Sequence, residues 1–189
     1  VVSKETGYDF FGGYDEKKHC GVVHIADHHI SPGKKMFTWA YNQLSKSWED
    51  MLTDADGPYC ELMAGTYTDN QPDFSWLEPY ETKSFSQYWY PIGSIGVPTY
   101  ASLEGAVTIR EGKVCVQVTA DTEKASVILR QRGADYTLYT GKMEAGKVYS
   151  FDHLMAGPDY EIRILAGDAV LLSYATEPAE EPVERRLIQ

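Results

Sequence analysis

Apolar and polar residues alternate along much of this chain in short runs, the period-two signature of β-strands. In Lys113–Ala120, Val114, Val116 and Val118 alternate with Cys115, Gln117 and Thr119, the pattern of a half-buried strand. Between 98 and 176 the pattern predicts seven strands: Ala101–Arg110, Lys113–Ala120, Ala125–Gln131, Asp135–Gly141, Lys147–Phe151, Tyr160–Ala166 and Ala169–Ala175. The turns between them carry glycine at 112, 133, 146, 157 and 167. Short strands at such spacing predict a small antiparallel sandwich of the fibronectin or immunoglobulin type.

The first half is less regular. Gly7–Tyr14, His19–Ala26, Lys35–Ala40, Pro58–Ala64 and Lys83–Tyr90 read as strands. Asn42–Leu52 is the one helical candidate: Leu44, Trp48 and Leu52 fall four apart on one face, and Asn42 suits an N-cap. Composition shifts near Pro98. Residues 1–97 hold all four Trp, 17 of the 24 aromatics and four of five His. Two domains are therefore expected, 1–97 and 98–176, with Gly93–Pro98 as a linker-like segment. The charged, Pro-containing run 177–189 reads as an acidic linker or tail, which points to further domains of the same polypeptide. A start without Met reads as a mature product or an excised piece of a longer protein.

Composition narrows the partners. With 189 residues the chain can bury a core. A net charge of −11 argues against nucleic acid, whose phosphates need clustered Lys and Arg, and against anionic membrane surfaces. Membrane insertion is not expected either, since no apolar run approaches the ~20 residues needed to span a bilayer. Cys20, Cys60 and Cys115 are odd in number and lack metal-like spacing; Cys20 and Cys60 can pair only on neighbouring strands, and buried free thiols are the commoner reading. No nucleophile elbow, phosphate loop or dinucleotide fingerprint occurs, and no cofactor is expected.

One stretch stands out chemically. Gly57–Gly65 sets Glu61 inside an apolar, strand-like run, and Gln71, Asp73 and Trp76 follow within fifteen residues. A carboxylate held among apolar groups must find partners or stay protonated. On a strand, Tyr59, Glu61 and Met63 share one face, leaving Cys60, Leu62 and Ala64 for the core. Either Glu61 faces solvent, or it binds hydroxyls or moves a proton. Indole and phenol faces stack on sugar C–H faces, so Trp39, Tyr59 and Trp76 are candidate sugar contacts, with Gln71 and Asp73 as polar ones. Most of the aromatics are expected in the core, at least one of Tyr88, Trp89 and Tyr90 among them. His24-Ile25-Ala26-Asp27-His28-His29 holds three His and an Asp, but strand geometry turns His28 and His29 to opposite faces, so no metal is expected there. Lys34 and Lys35 read as a solvated pair, with an approach of Lys34 to Asp27 or Glu61 as the alternative.

Asp27–Trp39, Leu52–Gly65, Asn70–Asp73 and Gln87–Pro91, in that order, resemble the pattern of an uncharacterised bacterial domain family. Its members carry a galactose-mutarotase-like β-supersandwich, usually upstream of tetratricopeptide repeats. The resemblance implies that residues 1–97 are the C-terminal portion of that sandwich and that 98–176 are the small β domain following it. In the broader superfamily, sugars bind a concave sheet face, and epimerases resembling Tyr59-Cys60-Glu61 use the Glu as base toward the anomeric hydroxyl. That makes Glu61 the candidate base. The matching acid is a His, with His28 the first candidate beside His24 and His29. The resemblance also implies a periplasmic or extracellular location.

The expectation is thus an all-β protein that binds carbohydrate within a larger glycan-processing bacterial protein. An aldose-epimerase-like or glycoside-hydrolase-like enzyme using Glu61 and an architectural module without ligand are the alternatives.

Overall fold

A computed structural model describes residues 6–39, 42–54, 56–70, 72–110, 112–152 and 159–176. Strands dominate, with one helix among the described residues, so the protein is all-β. The chain divides into two compact units, residues 1–91 and 92–189. The acidic run 177–189 and Gln71 lie outside the described residues.

In the first unit, strands β1 (Phe10–Asp15), β2 (Cys20–Ile25) and β5 (Tyr88–Ile92) form one sheet in the order β1-β2-β5. β1 and β2 are antiparallel and joined by a tight turn. There the Asp15 carboxylate accepts the Lys17 and Lys18 backbone N–H groups at 2.8 and 3.0 Å, and His19 takes φ +51°. β3 (Gly33–Thr38) and β4 (Cys60–Gly65) form a separate antiparallel ribbon that pairs Phe37 with Glu61, Lys35 with Met63 and Gly33 with Gly65. The helix α1 (Gln43–Leu52) starts where expected: the Asn42 side chain accepts the Ser45 N–H at 2.9 Å. Its apolar residues Leu44, Trp48 and Leu52 are nonetheless exposed.

The expected strand at Lys83–Tyr90 shrinks to β5. Residues 83–87 lie outside any ladder, and Gln87 instead donates through Nε2 to Ser31 Oγ and the Ala64 carbonyl, at 2.9 and 2.8 Å. Cys20 and Cys60, expected to be buried, are exposed at the first positions of β2 and β4; the two strands are not neighbours, and all three cysteines are free.

The second unit has two four-stranded sheets. One runs β10-β9-β12-β13 and the other β11-β8-β7-β6, where β6 is Tyr100–Ala101, β7 Gly105–Arg110, β8 Lys113–Val118, β9 Thr122–Gln131, β10 Ala134–Met143, β11 Val148–Asp152, β12 Tyr160–Ala166 and β13 Ala169–Ala175. The strand pairs within them are antiparallel. Val107, Val114, Val116 and Val118 from one sheet meet Val127, Leu129, Met143, Ile162, Ile164 and Leu172 from the other in a single core. Burial of these branched side chains is the main force holding the unit together. The predicted strand Ala101–Arg110 is interrupted by a turn in which the Ser102 N–H donates to the Gly105 carbonyl at 2.9 Å, which splits it into β6 and β7. β8 is buried on both faces rather than half-buried: Gln117 Oε1 accepts the Gly93 N–H at 3.0 Å, and Cys115 Sγ lies 3.4 Å from Ser150 Oγ.

The units differ in how well they bury apolar groups. Of the eighteen large hydrophobic side chains left exposed among the described residues, fourteen belong to the first unit, Phe74, Trp76 and Leu77 among them.

Candidate functional site

The β3–β4 ribbon positions the candidate carboxylate. Alternation along an antiparallel pair puts Glu61, Met63 and Gly65 on one face with Phe37, Lys35 and Gly33. Glu61 is half-buried and stands directly across from Phe37, which is 40% exposed. Tyr59, at the entry to β4, donates its hydroxyl to Glu61, and this bond to the carboxylate pushes the phenol pKa up. Phe37 meets Trp39 edge to face at 5.3 Å, and Trp39 stacks on Trp48 at 5.3 Å with the rings 4° from parallel. The indole Nε1 of Trp39 is buried and finds no acceptor among the described residues. Carboxylate, phenol and three rings thus line one side of the ribbon and the adjoining helix. Phe37 escaped the sequence reading; alternation through Lys35, Phe37 and Trp39 was the signal for it.

Further along the same face lies a hollow of about 200 Å³, lined by Gly33, Lys35, Met63, Gly65, Thr68, Asp69 and Asn70. Lys35 Nζ donates to Asn70 Oδ1 at 3.1 Å across its rim. Its floor is the Gly33–Gly65 pair, where the backbones approach so closely that a Cβ on Gly33 would sit 2.9 Å from Gly65 Cα. Glu61 is not among the lining residues; Met63, two positions along β4, is.

The other predicted contacts are placed as follows. Asp73 is exposed and its N–H donates to the Asn70 carbonyl at 3.0 Å. Trp76 is 74% exposed and packs edge-on against Phe74 at 5.4 Å. Gln71 is outside the described residues. The structure therefore brings Tyr59 and Glu61 together, with Trp39 beside Phe37 across the ribbon, whereas Asp73 and Trp76 meet Asn70 and Phe74 within the following loop.

The histidines have separate surroundings. His24 on β2 is fully buried, with Phe11 5.2 Å and Trp89 4.6 Å away, and neither ring nitrogen has a hydrogen-bond partner among the described residues. Desolvation, reinforced by the nearby Lys34 ammonium, pushes its pKa down to about 4, so it is neutral near pH 7. Lys34 is not solvated: it is fully buried and donates to the Tyr8 carbonyl. Burial lowers its pKa, while Asp9 and Asp27 act in the opposite direction. His28 lies past the end of β2, with Nδ1 2.7 Å from Asp9 Oδ1, which also accepts the His28 backbone N–H at 2.9 Å.

In the second unit a hollow of about 650 Å³ is lined by residues that include Leu103, Thr122, Lys124, Ala166 and Leu171. None of its lining residues is aromatic. The ribbon of the first unit is therefore the better candidate for ligand recognition.

Residues 2–92, nearly the whole of the first unit, match the family described as a Domain of unknown function (DUF5107). No solved structure matches the chain. No helix among the described residues is long and apolar enough to cross a membrane.

Proposed function

We propose that the first unit binds carbohydrate on the β3–β4 face, with Glu61 accepting sugar hydroxyls and Phe37, Trp39 and Trp48 offering ring faces. The observation that carries this reading is the Tyr59–Glu61 pair standing across from Phe37 in an aromatic row. A half-buried carboxylate already held by a phenol, with rings alongside, suits a ligand that is polar at its edges and apolar on its C–H faces. The exposed apolar side chains of this unit support its being part of a larger mutarotase-like sandwich, in which other strands complete the concave face. We read the second unit as fibronectin-like: β7, β8 and β11 form one sheet and β10, β9, β12 and β13 the other, with β6 added at an edge. In this reading the chain serves a glycan-processing protein outside the cytoplasm.

Glycan-array screening of the whole chain, followed by calorimetry on the best ligand, tests the reading. Binding that falls at least about tenfold in both Glu61→Gln and Trp39→Ala, each still folded by circular dichroism, supports it. An array without a hit, or affinity unchanged in both variants, overturns it.

A further inference from the structure

We propose that Asp27, His28 and His29 form a binding site for a divalent first-row transition-metal ion, best matched by Zn²⁺, with Asp9 as the residue that orients His28. The sequence pattern disfavours such a site because successive residues on a strand point to opposite faces. β2, however, ends at Ile25, and the chain turns at 27–30, where the Ile30 and Ser31 N–H groups donate to the Asp27 carbonyl at 3.1 and 2.8 Å. In that turn one ligand atom from each of the three side chains lies within 4.8 Å of the others. The two imidazole rings have their centroids 3.9 Å apart.

Four features favour a metal over a chance meeting of polar groups. The donor set, two imidazoles and a carboxylate, is the combination that Zn²⁺ and its neighbours prefer over all-oxygen sites for Ca²⁺ or Mg²⁺. Asp9 holds Nδ1 of His28 at 2.7 Å, which leaves Nε2 as the free donor; a carboxylate behind a histidine is the usual outer support of a metal-bound imidazole. The Asp9 backbone is itself fixed, its carbonyl accepting the Ala26 N–H at 2.9 Å. Asp27 has one carboxylate oxygen engaged, by the His29 N–H at 2.8 Å.

Ligand atoms about a tetrahedral ion stand roughly 3.3 Å apart, so the site must tighten as the ion enters. Asp27 and His29 are exposed, so their side chains have room to adjust, Asp27 about the bond its carboxylate accepts from the His29 N–H. The buried Lys34 ammonium interacts with Asp27 and opposes the ion's charge, which weakens binding relative to a site without it. Three protein ligands leave the remaining coordination positions to solvent. Nothing in this site overlaps the Glu61 face, and it stands whether or not carbohydrate binds there.

The test is calorimetric titration of ZnCl₂ into the chelator-treated full chain, with Co²⁺ absorption as a second readout. One ion should bind, and Co²⁺ should give the d–d bands of a nitrogen-containing site. His29→Ala, an exposed change, should weaken binding at least about tenfold, and so should Asp9→Asn, which removes no ligand. Absence of binding, or equal affinity in the His28→Ala/His29→Ala double variant, overturns the proposal. Loss in His29→Ala without loss in Asp9→Asn overturns the role of Asp9. Circular dichroism of each variant separates lost binding from lost fold, and His29→Cys, which offers another zinc ligand, should recover part of the affinity.

Discussion

His24 lies with its ring centroid 4.6 Å from that of Trp89, and the imidazole is shut off from water on every side. Its depressed pKa gives the first unit a pH dependence with a definite sign. The unfolded chain protonates this imidazole near pH 6.5, the folded one only near pH 4. Stability is therefore flat above about pH 6.5, falls as pH drops toward about 4, and levels off for this group below that. The expected loss is on the order of 3 kcal/mol. All four Trp lie between positions 39 and 89, so urea unfolding followed by Trp fluorescence reads this unit. His24→Phe should remove the His24 share of the slope between pH 6.5 and 4.5; an unchanged slope would refute the assignment.

The Tyr59 phenol should report on the Glu61 carboxylate beside it. The hydrogen bond it donates to the carboxylate, and to a lesser extent the carboxylate's charge, raises the phenol pKa. In Glu61→Gln the Tyr59 phenol should ionise at lower pH. Ultraviolet difference titration of the variant against the parent reads this as one tyrosine of fourteen moving down.

The Trp39–Trp48 stack ties the end of the ribbon to α1. A double-mutant cycle with Trp39→Ala and Trp48→Ala should give a coupling of about 0.5–1.5 kcal/mol. Additive losses would mean that the rings touch without contributing beyond their separate burial.

In the second unit, Leu129 is fully buried in the inter-sheet core and Leu103 is exposed. Leu129→Ala should cost about 2–5 kcal/mol in chemical unfolding, by lost transfer energy and the cavity left behind. Leu103→Ala should stay within about 1 kcal/mol. Equal effects would contradict the assigned core.

Legibility in the sequence followed the number of faces a strand buries. β12 and β13 match their expected limits to the residue, because Ile162, Ile164 and Leu172 mark an inner face and the turn glycine Gly167 separates the strands. β8 was found as a strand but misjudged in burial, since its second face is closed by Gly93, a distant backbone group that alternation cannot reveal. Lys83–Gln87 has strand-like composition, yet Gln87 spends its amide on Ser31 and Ala64, a choice made by tertiary contact. Lys34 reads as a surface residue by type; only the fold shows the Tyr8 carbonyl waiting for its ammonium. At the candidate site, alternation in the sequence puts Tyr59 and Glu61 on one face, whereas Trp39 is offered only as one of several aromatic contacts, because its pairing partner is not written in its own segment. Phe37 and the Asp9–His28 pair depend on register and on a turn, neither of which composition encodes.

The Gly33–Gly65 crossing beneath the small hollow is not symmetric. A methyl on Gly33 would collide with the opposite backbone, but one on Gly65 would meet only ordinary contacts, the nearest the Thr68 carbonyl at 3.5 Å. Position 65 thus behaves like a bung-hole: a methyl set there would begin to stopper the cavity from the β4 side without forcing the opposite backbone aside.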